Sequence, residues 1–232
     1  MNTKPTHGLF VTGTGTEVGK THVAALIAKT LTAAGCRVGV YKPVASGCRL
    51  QDGKLICDDA VALWTAAGEP ESLEAVCPQC FGPALAPHLA ARAEGKEVDA
   101  QQLLDGAAWW KDRCDLLIVE GAGGLMSPLA EDVYSADVAH DLGYPVIVVA
   151  ANELGTINAT LQTLITAATF RDGLNVAGVV LNDVRQAADD ASTASNRQEL
   201  EARCIPPVLA HVGWQAERFN PPIDWKTLAG LD

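Results

Sequence analysis

The stretch Val11-Thr12-Gly13-Thr14-Gly15-Thr16-Glu17-Val18-Gly19-Lys20-Thr21 decides the fold. It follows the short apolar run Leu9-Phe10-Val11. It opens residues 21–34, where Val23, Leu26, Ile27 and Leu31 recur near helical spacing before Gly35. A buried strand, a glycine-rich turn and a helix starting on Gly-Lys-Thr make a phosphate-binding loop. The glycines let the backbone bend so that successive N–H groups face one anion, and the helix N-terminus adds its partial positive charge. The residues expected to bind a nucleotide here are Gly13, Gly15, Thr16, Glu17, Val18, Gly19, Lys20 and Thr21. Lys20 reaches the β- and γ-phosphates, and the Thr21 hydroxyl suits Mg²⁺. The usual loop has four residues between its first glycine and the Gly-Lys pair. That position is Thr14 in this chain and Gly13 lies one residue further out, so the loop is stretched.

Outward from the loop, short β-rich runs alternate with helical patterns. Residues 37–41, 116–119, 146–149 and 176–181 read as strands, and 59–67, 103–110, 133–142 and 156–170 as helices. The runs Leu116-Leu117-Ile118-Val119 and Val146-Ile147-Val148-Val149 do not alternate with polar residues, as expected of strands buried on both faces. The fold class expected is α/β: a doubly wound, mostly parallel sheet flanked by helices, of the P-loop nucleoside triphosphate hydrolase type. Residues 70–96 are rich in proline and glycine and read as an irregular excursion. Residues 185–196 read as a polar surface loop leading into a helix at 198–203. Neither breaks the chain, so a single domain over 1–232 is expected.

Composition narrows the partners. Of 232 residues, 48% are hydrophobic and 19% charged, enough apolar material for a core. The formal net charge of −11 repels polyanions, so neither nucleic acid nor an anionic membrane is an expected partner. No apolar run reaches the length of a membrane span, and residues 1–7 are polar, unlike a secretory signal. The seven cysteines are odd in number and irregularly spaced, which predicts free thiols and a cytoplasmic location. Cys77-Pro78-Gln79-Cys80 has the spacing of half a zinc site. No second such pair follows, and with His88 it makes only three ligands, so no metal is expected there. Trp109-Trp110 reads as packing, and His211 has no evident catalytic partner in the sequence.

Two further segments carry chemistry. In Leu116-Leu117-Ile118-Val119-Glu120-Gly121-Ala122-Gly123-Gly124, Glu120 stands where the apolar run stops, and glycines follow it. A carboxylate at the end of a second buried strand is what a phosphate-loop enzyme uses to hold Mg²⁺. In Tyr41-Lys42-Pro43-Val44-Ala45-Ser46-Gly47, Lys42 ends a strand on the side where a doubly wound sheet forms its ligand crevice, placed for a second anionic group. Asp59, near a helix start, is a further Mg²⁺ candidate.

These segments together resemble the dethiobiotin synthetase family. Its stretched loop is similar to residues 12–21, its second motif to 41–47 and its third to 119–124. Asp59-Ala60, Pro87-His88-Leu89-Ala90, Leu154-Gly155-Thr156-Ile157-Asn158 and Leu181-Asn182-Asp183 follow in family order. The family often has Asp where Gly15 stands. The stretch 205–214 keeps only the Ile-Pro start and the Trp of the family's nucleobase loop. The resemblance implies an ATP-dependent ligase that closes a ureido ring on 7,8-diaminopelargonate with CO₂ through a carbamate and a carbamic–phosphoric anhydride. It implies Lys42, Lys20 and Thr16 as catalytic residues, Thr21, Asp59 and Glu120 as Mg²⁺ ligands, and Asn182 against the nucleobase. It places Thr16, Lys42 and Ser46 on the carbamate or diamine, and Leu154 and Gly155 of a second subunit on the substrate carboxylate, hence a homodimer. The role of Glu17 is open. A second rival reading is an ATP-dependent amidating enzyme of cobalamin synthesis, which shares the loop type; the main rival is a partner-controlled ATPase switch, whose loop carries an additional early lysine. Residues 11–15 have none.

Overall fold

The structure, a computed structural model, describes residues 5–186 and 190–231. Residues 1–4 of the segment read as unlike a signal, and residues 187–189 of the polar loop, lie outside them. The elements in chain order are β1 (Gly8–Gly13), α1 (Lys20–Ala33), β2 (Val38–Tyr41), β3 (Arg49–Gln51), β4 (Lys54–Ile56), α2 (Asp58–Ala66), α3 (Leu73–Val76), α4 (Pro87–Ala93) and α5 (Gln102–Ala108). They continue as β5 (Leu116–Glu120), β6 (Pro128–Ala130), β7 (Val133–Tyr134), α6 (Ser135–Leu142), β8 (Val146–Ala151), α7 (Thr156–Thr169), β9 (Val176–Asn182), α8 (Thr193–Glu201), β10 (Val208–Val212) and α9 (Trp225–Leu228).

Six strands form one parallel sheet in the order β10-β9-β8-β1-β5-β2. Every residue of β1, β2, β5 and β8 is buried, as their unbroken apolar runs require of strands covered on both faces. The chain leaves β1 in both directions along the sheet, so the crevice opens at the carboxyl end of β1, beside β5 and β8. Register then places the chemistry. Val11 pairs with Glu120, and Tyr41 pairs with Val119, so Lys42 comes out next to Glu120 at the same rim.

The first helix shows how local chemistry closes an element. Val23, Leu26, Ile27 and Leu31 are buried along α1, as their spacing predicts. After it, Gly35 takes φ 83° and its N–H donates to Thr32 O, while Cys36 N–H donates to Leu31 O. This left-handed glycine turn satisfies carbonyls that the helix end would leave orphaned.

The sheet's β2 edge depends on one close approach. The Tyr41 hydroxyl is buried and donates to the carbonyls of Gln102 and Leu103, at 2.9 and 3.2 Å. A Cβ on Gly106 of α5 would lie 2.1 Å from that hydroxyl. Gly106→Ala is therefore expected to force α5 off β2 and to cost about 1–3 kcal/mol of stability. The measurement is the urea midpoint at unchanged slope; a midpoint equal to the parent's would mean α5 shifts freely.

Several elements depart from the sequence reading. The excursion at 70–96 contains α3 and α4, and α4 starts on Pro87, a residue suited to a first helical position. The last-but-one helix starts at Thr193 rather than 198. Residues 208–212 form β10, the outer strand of the sheet, where only a loop was expected. The segment 133–142 begins as the short strand β7 before turning into α6. Short apolar runs and proline-rich stretches carry weak local signals, and partners elsewhere in the chain decide them. Among the described residues no helix is long and apolar enough to cross a membrane.

Candidate active site

A cavity of about 370 Å³ opens at the carboxyl rim of β1, β2 and β5. Its lining includes Thr16, Lys20, Lys42, Ser46, Asp59 and Glu120, residues far apart in sequence that the sheet brings together.

The phosphate loop is shaped by what its glycines exclude. A Cβ on Gly13 would lie 2.6 Å from Val18 Cγ2. Gly19 has φ 88° and begins α1, and a Cβ there would lie 2.1 Å from Asn182 Nδ2. Gly15, by contrast, has open space around its Cβ direction, which accommodates the family's other choice of residue there. Glu17, at φ 60°, is exposed at the cavity mouth. Lys20 is buried and its ammonium donates to Gly15 O at 3.0 Å, folding the loop over its own lysine. Burial lowers the Lys20 pKa, Glu120 pulls it back up and Lys42 opposes that.

Below the loop lies a compact charged group. The Lys42 ammonium donates to Glu120 Oε1 at 2.7 Å and to Asp59 Oδ2 at 2.6 Å. The Thr21 hydroxyl donates to the same Glu120 oxygen at 2.9 Å. Lys42 and Glu120 are almost wholly buried, whereas Asp59 is half exposed at the rim. Burial acts most strongly on Lys42 and would lower its pKa, yet Glu120 and Asp59 together hold it well above its ordinary value. Burial pushes the Glu120 carboxyl up, and Lys42 pulls it back. The ammonium is therefore firmly charged.

The donor set fits a divalent cation. Glu120 Oε2 is buried and has no hydrogen-bond partner, and it shares a cavity with the Thr21 hydroxyl and the Asp59 carboxylate. A buried, unpaired carboxylate oxygen costs free energy unless a cation or donor meets it. Hard oxygen donors of this kind match Mg²⁺, which needs few protein ligands when substrate phosphates complete its shell.

The other residues expected at the site fall around this group. Asn182 ends β9 behind the loop, and its Nδ2 donates to Val18 O at 3.1 Å while its Oδ1 is buried and unpartnered. Ser46 is on the cavity wall, its hydroxyl donating to Leu85 O at 2.6 Å. Leu154 and Gly155 are not among the lining of this cavity. Leu154 is 82% exposed and its N–H already donates to Asp190 Oδ2 at 3.0 Å, while Gly155 starts α7 at φ 98°. His88 lies on α4 in a different cavity, with Arg92, Lys96 and Glu131.

The sequence reading missed two features. His211, read as without a partner, has its Nε2 2.8 Å from Asp183 Oδ1, and Asn152 Nδ2 donates to the same oxygen at 2.7 Å. Those residues sit on three neighbouring strand ends, β8, β9 and β10, and no local signal joins them. Ala45, Ala122 and Gly123 also line this cavity; their place inside the second and third motifs is the signal that could have found them.

The AAA domain family matches residues 7–221. The ATP-dependent dethiobiotin synthetase BioD of Rhodopirellula baltica is 42% identical over 214 residues, covering 88% of this chain and 82% of that protein. The enzyme of the same name from Bacillus cereus is 37% identical over 213 residues, covering 92% and 86%. Among solved structures, a ParA family ATPase from Chlorobium tepidum superposes with a TM-score of 0.55 at 14% identity, covering 92% of this chain and 86% of that one, a likeness of fold alone.

Proposed function

Since this chain belongs to the dethiobiotin synthetase family, we propose that it is an ATP-dependent ligase that closes the ureido ring of dethiobiotin on 7,8-diaminopelargonate with CO₂. The observation that carries the reading is the pair Lys20 and Lys42 in one cavity, one under the phosphate loop and one fixed between Glu120 and Asp59. Two buried positive charges suit two anions that must meet: the γ-phosphate of ATP and a carbamate.

In this mechanism one amine of the diamine adds CO₂ and loses a proton, giving a carbamate. A carbamate oxygen attacks the γ-phosphorus, ADP leaves, and a carbamic–phosphoric anhydride forms. The second amine then attacks the carbonyl carbon, inorganic phosphate leaves, a proton is lost and the ring closes. Phosphoryl transfer of this kind is accelerated by alignment and charge neutralisation rather than by covalent participation of the protein. Lys20 holds the transferring phosphoryl group, and Lys42 holds the carbamate oxygens and the charge that moves during attack. Thr16, exposed at the loop tip, and Ser46, on the facing wall, orient the carbamate and the diamine. Thr21, Asp59 and Glu120 would hold Mg²⁺, which when bound neutralises the β- and γ-phosphates. Asn182 braces the loop through Val18 O, and its role against the nucleobase is carried over from the family.

Leu154 and Gly155 serve the carboxylate end of the substrate from a second subunit in this reading, because in one chain they do not line the Lys42 cavity. One core cluster runs from Leu9 to Ala229, which supports treating the chain as one domain.

The test is phosphate release from Mg-ATP and bicarbonate, with and without the diamine. Release is expected only with the diamine, in step with dethiobiotin formed. Release at the same rate without it would overturn the synthetase reading in favour of a switch ATPase.

A further inference from the structure

Four of the seven cysteines meet in one place outside the mechanism. Strands β3 and β4 form a hairpin in which Arg49 pairs with Ile56, so Cys48 and Cys57 flank its open end. The Cys77-Pro78-Gln79-Cys80 turn packs against that end. Ala45 bridges Cys80, Phe81 N–H donates to Ala45 O, and Cys48 N–H donates to Phe81 O. The Cys77 and Cys80 sulfurs are 3.6 Å apart. Cys48 and Cys57 adjoin this pair and each other closely enough for the four thiols to perturb one another's ionisation. Cys48, Cys57 and Cys77 are each 6% exposed, and all four are free thiols.

We propose that Cys48, Cys57, Cys77 and Cys80 are the four ligands of a structural zinc ion. A Zn–S distance of about 2.3 Å puts the sulfurs of a tetrahedron about 3.8 Å apart, close to the spacing of the Cys77–Cys80 pair. Four sulfurs and no oxygen select a soft-ligand metal, and a closed set of four suits structure rather than catalysis. Among the described residues the side chains as they stand form no metal-holding group, so loading requires the four cysteine side chains to rotate toward one centre. Loading sends four thiol protons to the buffer as four Zn–S bonds form, and no electron moves. The resulting negative charge is met by the Ala60 N–H, which donates to Cys57 Sγ at 3.5 Å, and by the nearby Lys42 ammonium.

The site has a structural consequence for the neighbouring chemistry. Cys57 is the N-cap of α2, and Asp59 of that helix holds Lys42. A metal at Cys57 therefore anchors the helix start that carries Asp59, without touching substrate. Spacing alone hides the set, since Cys48 and Cys57 lie far upstream of the Cys77–Cys80 turn and only the hairpin returns them to it.

The experiment uses the full chain, reduced and stripped of metal, titrated with Zn²⁺ or Co²⁺. One ion per chain is expected. The Co²⁺ form should show thiolate-to-metal charge transfer and tetrahedral d–d absorption. With Zn²⁺ bound, iodoacetamide and mass spectrometry should find residues 48, 57, 77 and 80 protected while the other three cysteines react on unfolding in the presence of excess zinc no faster or slower than without it. Cys80→Ser is expected to weaken metal binding by about 100-fold or more, since each ligand carries several kcal/mol of the total; Cys204→Ser should leave it unchanged. No stoichiometric ion, a Co²⁺ form without thiolate-to-metal charge transfer, or a Cys77–Cys80 disulfide that zinc does not prevent would each overturn the proposal. The wild-type stoichiometry and Co²⁺ spectrum decide the matter even if Cys80→Ser does not fold.

Discussion

Lys42→Met is expected to cut kcat by about a thousandfold while leaving ATP affinity within about tenfold, because preorganised charge at a reacting centre is worth at least that of a neutral donor. The methionine fills the buried channel of the lysine stem but brings no charge to Glu120, Asp59 or the cavity. Glu120 is fully buried, so removing its ammonium partner leaves a carboxylate that must take up a proton or meet another cation. Breaking such a pair costs about 3–5 kcal/mol. Stability must therefore be followed by circular dichroism, and activity read only on folded protein. Lys42→Arg keeps the charge yet places a planar fork where one ammonium bridges two carboxylates, and should restore little activity. Full kcat in Lys42→Met, with only KM raised, would remove Lys42 from the reacting centre.

Gly19→Ala carries the second large effect. The residue sits at φ 88°, where an L-side chain costs about 1–2 kcal/mol. Its new Cβ would also lie 2.1 Å from Asn182 Nδ2. Asn182 cannot simply retreat, because its Nδ2 holds Val18 O in the loop. The loop must therefore give way, and with it the backbone N–H groups aimed at the phosphates. A loss of about 100-fold or more in ATP affinity is expected, in line with several misdirected charge-assisted hydrogen bonds. Adding Asn182→Ala removes the collision but not the backbone strain, so the double variant should recover only part of the affinity. Parental ATP binding by Gly19→Ala, measured by calorimetry, would show that the loop is not held as described.

Both effects trace to features with different visibility in the sequence. Gly-Lys-Thr after a buried strand announces the loop because phosphate binding needs a local geometry, and local geometry is written in consecutive residues. The unbroken apolar runs of β5 and β8 announce buried strands for the same reason. Strand β10 escaped notice because Val208-Leu209-Ala210-His211-Val212, of which only Ala210 and Val212 are fully buried, carries no strong period. The neighbours of Gly19 escaped notice too: Asn182 approaches it from β9, a long way along the chain.

The sequence by itself determined the phosphate loop, the α/β class and the identity of the charged residues, since residue type and short-range spacing suffice for each. Only the tertiary structure decided that Lys42 bridges Glu120 and Asp59, that one buried oxygen of Glu120 is left without a partner, and that Cys48 and Cys57 flank a hairpin end beside the Cys77–Cys80 turn. Parallel register and hairpin closure set those distances, and both arise from pairing between segments that share no local signal.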